Sequence, residues 1–248
     1  MDFNSTNIVL IPKCKQSKSL NHYRPISLGN IVSEAIANRL KPWLDTIISP
    51  FQSAFVSGHL ITDNVLLDFK KNHFLHTHSK GRKHFMDLKL DISKGYDIAE
   101  WSFLWQVLGK LHFPCDFIEF IMLCVSSVSY SFVLSGKQFG TIITQQGLHQ
   151  GDPLSPYLFL LCTESLSLLF LVARERGTIP EVAVCRGAPS ISHLLFADDT
   201  MVFIPANMDM VQHVCHLLDT YKLASGQEIN LHKSSAAFSH NTPLEVQQ

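Results

Sequence analysis

Two aspartates stand side by side in "SHLLFADDTMVF", Asp198 and Asp199, with apolar residues on both flanks. Burying an unpaired carboxylate is costly even after the surroundings relax. An adjacent pair is therefore tolerated where it sits in a solvated turn or where a cation neutralises it. A third carboxylate bears on the second condition. In "FMDLKLDISKGYD", Met86, Leu88, Leu90 and Ile92 alternate with Asp87, Lys89, Asp91 and Ser93. That period of two predicts a strand with one buried face, and it puts Asp91 on the polar face near the strand's end. Three carboxylates on one polar face repel one another unless a cation lies between them. Mg²⁺ is held by one or two carboxylates together with substrate phosphates. Two such ions about 3.5–4 Å apart activate an attacking hydroxyl and stabilise a leaving group. On the residues alone, two other readings stay open. One is a polar turn that simply contains Asp-Asp. The other is a phosphoacceptor cluster of the receiver type, which needs a parallel α/β order.

The surrounding elements must bring these residues together. "IVLIP" (Ile8 to Pro12) reads as a short strand, and "NIVSEAIANRLKPWL" as a helix with Ile31, Ala35, Leu40 and Leu44 on one side. "KKNHFLHTHSKGRKH" (Lys70 to His84) is polar and reads as ending in a loop; its histidines are irregularly spaced, with no cysteine near. "SFLWQVLGKLHF" carries the helical stripe Leu104, Val107, Leu108, Leu111. "SYSFVLSGKQFGTIIT" predicts a hairpin turning around Ser135 to Gln138. After the loop "QQGLHQGDPLSP" a helix is expected, with Ser155 as N-cap, Pro156 at the first helical position and Gly177 just past the end. "SHLLFADDTMVFI" predicts a second hairpin with Ala197, Asp198 and Asp199 in or beside its turn. A last helix starts near Asn207, has Met210, Val214, Leu217, Leu218 and Tyr221 on one face, and ends before Gly226. The order of strands, hairpins and helices predicts an α+β fold, an antiparallel sheet backed by helices. In such a sheet Asp91 and the Asp198–Asp199 turn can meet.

The 248 residues suffice for one large domain or two small ones, and a 46% hydrophobic, 17% charged composition is that of a globular chain. A formal net charge of −1 argues against a strongly basic nucleic-acid-binding surface. Six dispersed cysteines without a Cys-x-x-Cys pair point to a reduced, intracellular setting. "YLFLLCTESLSLLFLVA" (Tyr157 to Ala173) is near the lower length limit of a membrane span, about 17 residues. Glu164, Thr163, Ser165 and Ser167 within it favour a buried core helix and no membrane.

Several stretches occur together in one order: "VLIPK", "YRPISL", "IANRLKPWL", "QSAFVSGHLITDN", "LKLDISKGYD", "QGLHQGDPLSPYLFLL", "SHLLFADD" and "ASGQEINLHKSS". In this the chain resembles the reverse transcriptase domain of non-LTR (LINE-type) retrotransposons, most closely those of plants. The resemblance covers nearly the whole sequence. It implies the fingers and palm of a right-hand polymerase, with residues 1–85 and 113–150 as fingers and 86–112 and 151–240 as palm. It implies RNA-directed DNA polymerase activity with two Mg²⁺ ions, an RNA template, a DNA primer and dNTPs. By the same resemblance Asp91 and Asp198 hold metal and Asp199 supports them. Tyr96 lies under the incoming sugar and disfavours a ribose 2′-hydroxyl, Gln150 and Gly151 line the template and nucleotide, Arg24 meets the triphosphate, and Lys233 protonates the leaving pyrophosphate.

The sequence also departs from the family pattern. His59 and His149 stand where the family carries arginine, Gly95 and Ile98 where it carries alanine and arginine, and the helix around Ser33 is about one turn shorter. A neutral imidazole does not replace a forked guanidinium at a phosphate. The sequence stops soon after "INLHKSS", before the family's thumb, and the endonuclease region of a retrotransposon polyprotein is not in it. A partly degenerate relic, weak or silent as an isolated polymerase and retaining nucleic-acid binding, is the alternative expectation. The family resemblance allows a nuclear location; no targeting signal is visible.

Overall fold

The structure is a computed structural model and describes residues 4–16, 18–27, 31–56, 58, 61–93, 95–134, 136–183 and 190–247. In chain order it forms β1 (Ser5–Pro12), β2 (Tyr23–Ser27), α1 (Ile31–Ile47), α2 (Ile61–Thr77), β3 (Phe85–Ser93), α3 (Trp101–Lys110) and α4 (Cys115–Ser126). Then follow β4 (Ser129–Leu134), β5 (Lys137–Ile143), α5 (Ser155–Glu175), β6 (His193–Phe196), β7 (Asp199–Pro205), α6 (Met208–Ser225), β8 (Glu228–Ile229), β9 (Ser235–Phe238) and α7 (Leu244–Gln247). The chain packs as two units, residues 1–43 with 96–161 and residues 44–95 with 162–248.

The first unit is built on a four-stranded sheet in the order β2-β1-β4-β5. β4 and β5 form the expected hairpin, and Gly136, at φ 77°, supplies the left-handed residue of its turn. β1 pairs parallel to β4 and antiparallel to β2, so this sheet is mixed. α3 turns Leu104, Val107 and Leu108 inward as its stripe predicts, and α4 buries Ile118, Ile121, Cys124 and Val125.

The second unit carries the antiparallel sheet, β6-β7-β3-β8, with β9 also on the free edge of β3. Cross-strand register sorts its residues by face. Asp87, Lys89 and Asp91 of β3 lie opposite Phe203, Met201 and Asp199 of β7, while Met86, Leu88 and Leu90 lie opposite Ile204, Val202 and Thr200. The second set faces the C-terminal part of α5, where the Phe170 ring stacks on His193 at 5.0 Å. α6 joins this layer through the Tyr221 hydroxyl, which donates to the Cys162 carbonyl. α6 is capped as expected: Asn207 Oδ1 accepts from the Met210 amide, and Gly226 closes the end at φ 74°.

Two local readings change. The buried stripe of α1 is Ser33, Ile36, Ala37, Leu40 and Leu44, with Ile31 and Ala35 outward. The polar stretch from Lys70 to His84 ends in a loop as expected, after α2 has run through Thr77, where Lys71 is neutralised from β3 and Phe74 and Leu75 pack on Phe85 and Phe203. α5 begins at Ser155 itself, and the Ser155 hydroxyl accepts the His149 amide instead of capping the helix. α5 is long and apolar enough to cross a membrane; Leu158 to Cys162, Leu166 and Phe170 are fully buried within the protein.

Candidate active site

The alternation of β3 carries Asp91 to the end of the strand, and the β6–β7 hairpin delivers the aspartate pair to the same place. Asp91 and Asp199 are direct cross-strand partners, so their side chains leave the sheet on one face. Asp198 is exposed in the two-residue turn before β7, and its carbonyl accepts the Ile92 amide at 3.0 Å. The two adjacent carboxylates are tolerated because one is in solvent and the other is only half buried at a strand start.

Charge around them is balanced by lysines. Lys233 Nζ lies 3.6 Å from Asp91 Oδ2, and Lys89 Nζ lies 3.4 Å from Asp199 Oδ1. Among the described residues no three histidine, cysteine, aspartate or glutamate side chains converge into a metal-chelating group. The expected three-carboxylate cluster therefore takes the form of two separate ion pairs beside an exposed Asp198. The donor set itself, all carboxylate oxygens on one sheet end, is of the hard type that suits a divalent cation such as Mg²⁺.

The backbone of Asp91 is fixed from the β8–β9 turn. Its amide donates to Ser234 Oγ at 3.3 Å, and its carbonyl accepts the Asn230 amide at 2.8 Å. Neither Asn230 nor Ser234 was expected in the site; the turn-forming run "NLHKS" was the one signal for them. Lys89, also not anticipated, is visible only as the polar residue two before Asp91.

Farther along the same face the sheet is closed by α2. Lys71, with a side chain only 1% exposed, makes contacts of 3.0 and 3.1 Å to the two carboxylate oxygens of Asp87. Burial pushes the Asp87 carboxyl up in spite of that ammonium. Between α2 and the hairpin lies a cavity of about 180 Å³, lined by Val65, Asp68, Leu194, Phe196, Asp199 and Met201 among others.

The opposite face holds a buried polar chain. Ser49 Oγ donates to Glu164 Oε2 at 3.2 Å and lies 2.9 Å from Ser167 Oγ, which in turn lies 2.9 Å from His193 Nε2. Ser192 Oγ stands 2.9 Å from the other ring nitrogen. Burial raises the Glu164 carboxyl to about 7 and lowers the His193 imidazole to about 3, so both favour their neutral forms there.

The remaining predicted residues belong to the first unit. Tyr96 stacks on Phe159 at 4.4 Å with the rings 13° from parallel. Gln150 is held twice: its side chain donates to Asp97 Oδ1 at 3.2 Å, and its carbonyl accepts both the amide and the hydroxyl of Ser27. Gly151, at φ 101°, passes so close to Ser27 that a Cβ would stand 2.2 Å from its carbonyl oxygen. Only glycine fits there. Arg24 is exposed on β2, opposite Ile11. His149 donates from Nε2 to the Val125 carbonyl at 3.1 Å and lies against the Tyr130 ring; burial holds its imidazole below the usual range. His59 lies outside the described residues.

Comparison with known proteins bears on the family and the fold of the chain. The family model described as reverse transcriptase (RNA-dependent DNA polymerase) matches residues 11–246. The 149 kDa protein of transposon TX1 from Xenopus laevis is 28% identical over 233 residues, 91% of this chain and 17% of its own length. The Pol polyprotein of the retrotransposable element R2DM from Drosophila melanogaster is 26% identical over 231 residues, 91% of this chain and 20% of its own. An uncharacterized mitochondrial protein of Arabidopsis thaliana is 54% identical over 69 residues, 28% of this chain and 57% of its own length. Thus the chain spans from about a sixth to just over half of these relatives. Among solved structures, apo telomerase from Candida tropicalis superposes with a TM-score of 0.64 at 15% identity, covering 95% of this chain and 50% of that one. At that identity the likeness is one of fold, the α+β fingers and palm of a polymerase. With the family's signature spread over nearly its whole length, and with non-LTR transposon proteins as relatives across 91% of it, the chain belongs to the reverse transcriptase family, as an RNA-directed DNA polymerase domain of the non-LTR retrotransposon type.

Proposed function

We propose that this domain extends a DNA primer on an RNA template, and that Asp91 and Asp198 are its metal-binding carboxylates, with Asp199 beside them supporting the site. The observation that carries the reading is the register pair Asp91 and Asp199, with Asp198 tied to β3 through the Ile92 amide. Two Mg²⁺ ions bound there would activate the primer 3′-hydroxyl and neutralise charge on the triphosphate. Lys89 and Lys233 lie on the carboxylates and would give way as cations enter. Freed from Asp91, Lys233 is an ammonium able to donate a proton to the leaving pyrophosphate. Tyr96, kept flat on Phe159, would act as a rigid wall against a ribose 2′-hydroxyl. Arg24 would meet the triphosphate with its fork of donors, and the strapped Gln150–Gly151 segment would carry the template and nucleotide. The division into fingers (1–85, 113–150) and palm (86–112, 151–240) belongs to the same proposal.

A low rate is expected of this chain by itself. His149, tied to the Val125 carbonyl and held neutral, offers no permanent charge to a phosphate. That observation favours, as a second reading, a silent fragment that still binds nucleic acid. Primer extension on an RNA template with dNTPs and either Mg²⁺ or Mn²⁺ tests both. Slow, distributive extension lost in Asp198→Ala supports the first. Extension that survives Asp198→Ala would sink the site, and RNA binding with no extension by any variant would leave the second reading.

A further inference from the structure

The turn that carries Asp198 and Asp199 has an unusual backbone. Ala197, the residue before them, has φ 53°, a left-handed conformation that a Cβ disfavours. Something must hold it there. The segment around Gln52, far away in sequence, is laid beside β6 by two backbone hydrogen bonds. The Leu195 amide donates to the Phe51 carbonyl at 2.7 Å, and the Ser53 amide donates to the Leu195 carbonyl at 3.3 Å. This brings the Gln52 side chain to the turn. Its Oε1 accepts from the Ala197 amide at 3.2 Å and from the Ala54 amide at 3.0 Å, using both lone pairs. Gln52 is 1% exposed, so solvent cannot readily take over when this acceptor is removed.

We infer that Gln52 is a positioning residue for the aspartate turn. Its side-chain oxygen holds Ala197 left-handed and thereby fixes where Asp198 and Asp199 are presented to a divalent cation. This rests on the polymerase reading of the carboxylates. Glutamine suits the position because it is neutral and adds no repulsion beside two aspartates, and because its carbonyl reaches two amides at once.

The test compares wild type with Gln52→Met, Ala197→Gly and the double variant, and with Gln52→Glu. Methionine keeps the bulk and removes the acceptor. Amide hydrogen exchange at Ala197 and Mn²⁺ affinity are read, with dNTP kcat and KM where extension is measurable. In Gln52→Met, exchange at Ala197 and the Mn²⁺ dissociation constant should each rise about tenfold or more, and kcat should fall with KM little changed. Adding Ala197→Gly, which reaches the left-handed region without a Cβ penalty, should return Mn²⁺ affinity to within about threefold of wild type. A residue that merely fills space would not be rescued in this way. Unchanged Ala197 exchange in Gln52→Met, or no rescue by glycine, overturns the inference. Should the methionine variant fail to fold, Gln52→Glu decides: it keeps an acceptor oxygen, and loss of Ala197 protection in it overturns the inference equally. A wild type that binds no Mn²⁺ near Asp198 fails the polymerase reading instead, a result distinct from intact metal binding with an unaltered Ala197 amide.

Discussion

Lys233 Nζ lies 3.6 Å from Asp91 Oδ2, at the tip of the turn whose Asn230 and Ser234 grip the Asp91 backbone. One short turn thus fixes the main chain of a candidate metal ligand and supplies its counter-ion. The lysine is exposed and the aspartate largely covered, at 68% and 15% of their side chains. An exposed ammonium of this kind adds little to stability, which leaves it free for chemistry.

Replacing Asp91 by alanine should abolish primer extension, a loss of about a thousandfold or more if it removes a group acting on the transition state. Lys233→Ala should slow extension by about ten- to a hundredfold, the range of a lost proton donor, and barely shift the melting temperature. A single-turnover assay separates the two. Equal loss of stability and rate in Lys233→Ala would contradict a chemical role.

The buried chain from Glu164 to His193 makes stability depend on pH in two opposed ways. The Glu164 carboxyl is raised to about 7, so the folded state holds its proton longer than the unfolded one, and stability is lost as pH rises from about 4.5 towards 7. The His193 imidazole is lowered to about 3, so its contribution is intact above about 6.5 and is lost as pH falls towards 3. The slopes largely cancel between about 4.5 and 6.5. Glu164→Gln should therefore stabilise by about 1–3 kcal/mol at pH 8 and have almost no effect below about pH 4, as read by urea unfolding at both pH values.

Lys71 and Asp87 form a buried pair in which desolvation outweighs attraction at the carboxylate. Lys71→Met alone strands the aspartate and should cost about 3–5 kcal/mol. Lys71→Met combined with Asp87→Val removes both charges and should fall within about 1 kcal/mol of wild type. Urea denaturation of the singles and the double checks this. A double variant no better than its parents would show that the pair itself holds α2 to the sheet.

With a net charge of −1, the domain should bind RNA–DNA duplex weakly. The logarithm of its affinity should fall with that of salt, with a slope equivalent to only a few neutralised phosphates. Filter binding between about 50 and 200 mM salt reads that slope. Tight binding that ignores salt would contradict it.

Local pattern settled much of this molecule. The alternation through Asp91 specified β3 and its polar face, the β-prone runs flanking Ala197 to Asp199 specified a hairpin, and the cap Asn207 with Gly226 bounded α6. These are local properties, fixed by side-chain period and by single-residue backbone preference. Tertiary structure decided what lies beyond that range. It set Asp91 opposite Asp199, brought Lys89 and Lys233 to the carboxylates, and laid Gln52 under a left-handed Ala197. It also carried α2 into a polar stretch as far as Thr77, because Asp87 on a different element neutralises Lys71. Likewise it chose which side of α1 is buried, Ile36 and Ala37 and not Ile31. Each of these depends on pairing between distant segments. A strand's period fixes which face a residue takes, but the register between strands, and the partners that register supplies, exist only once the chain has closed on itself.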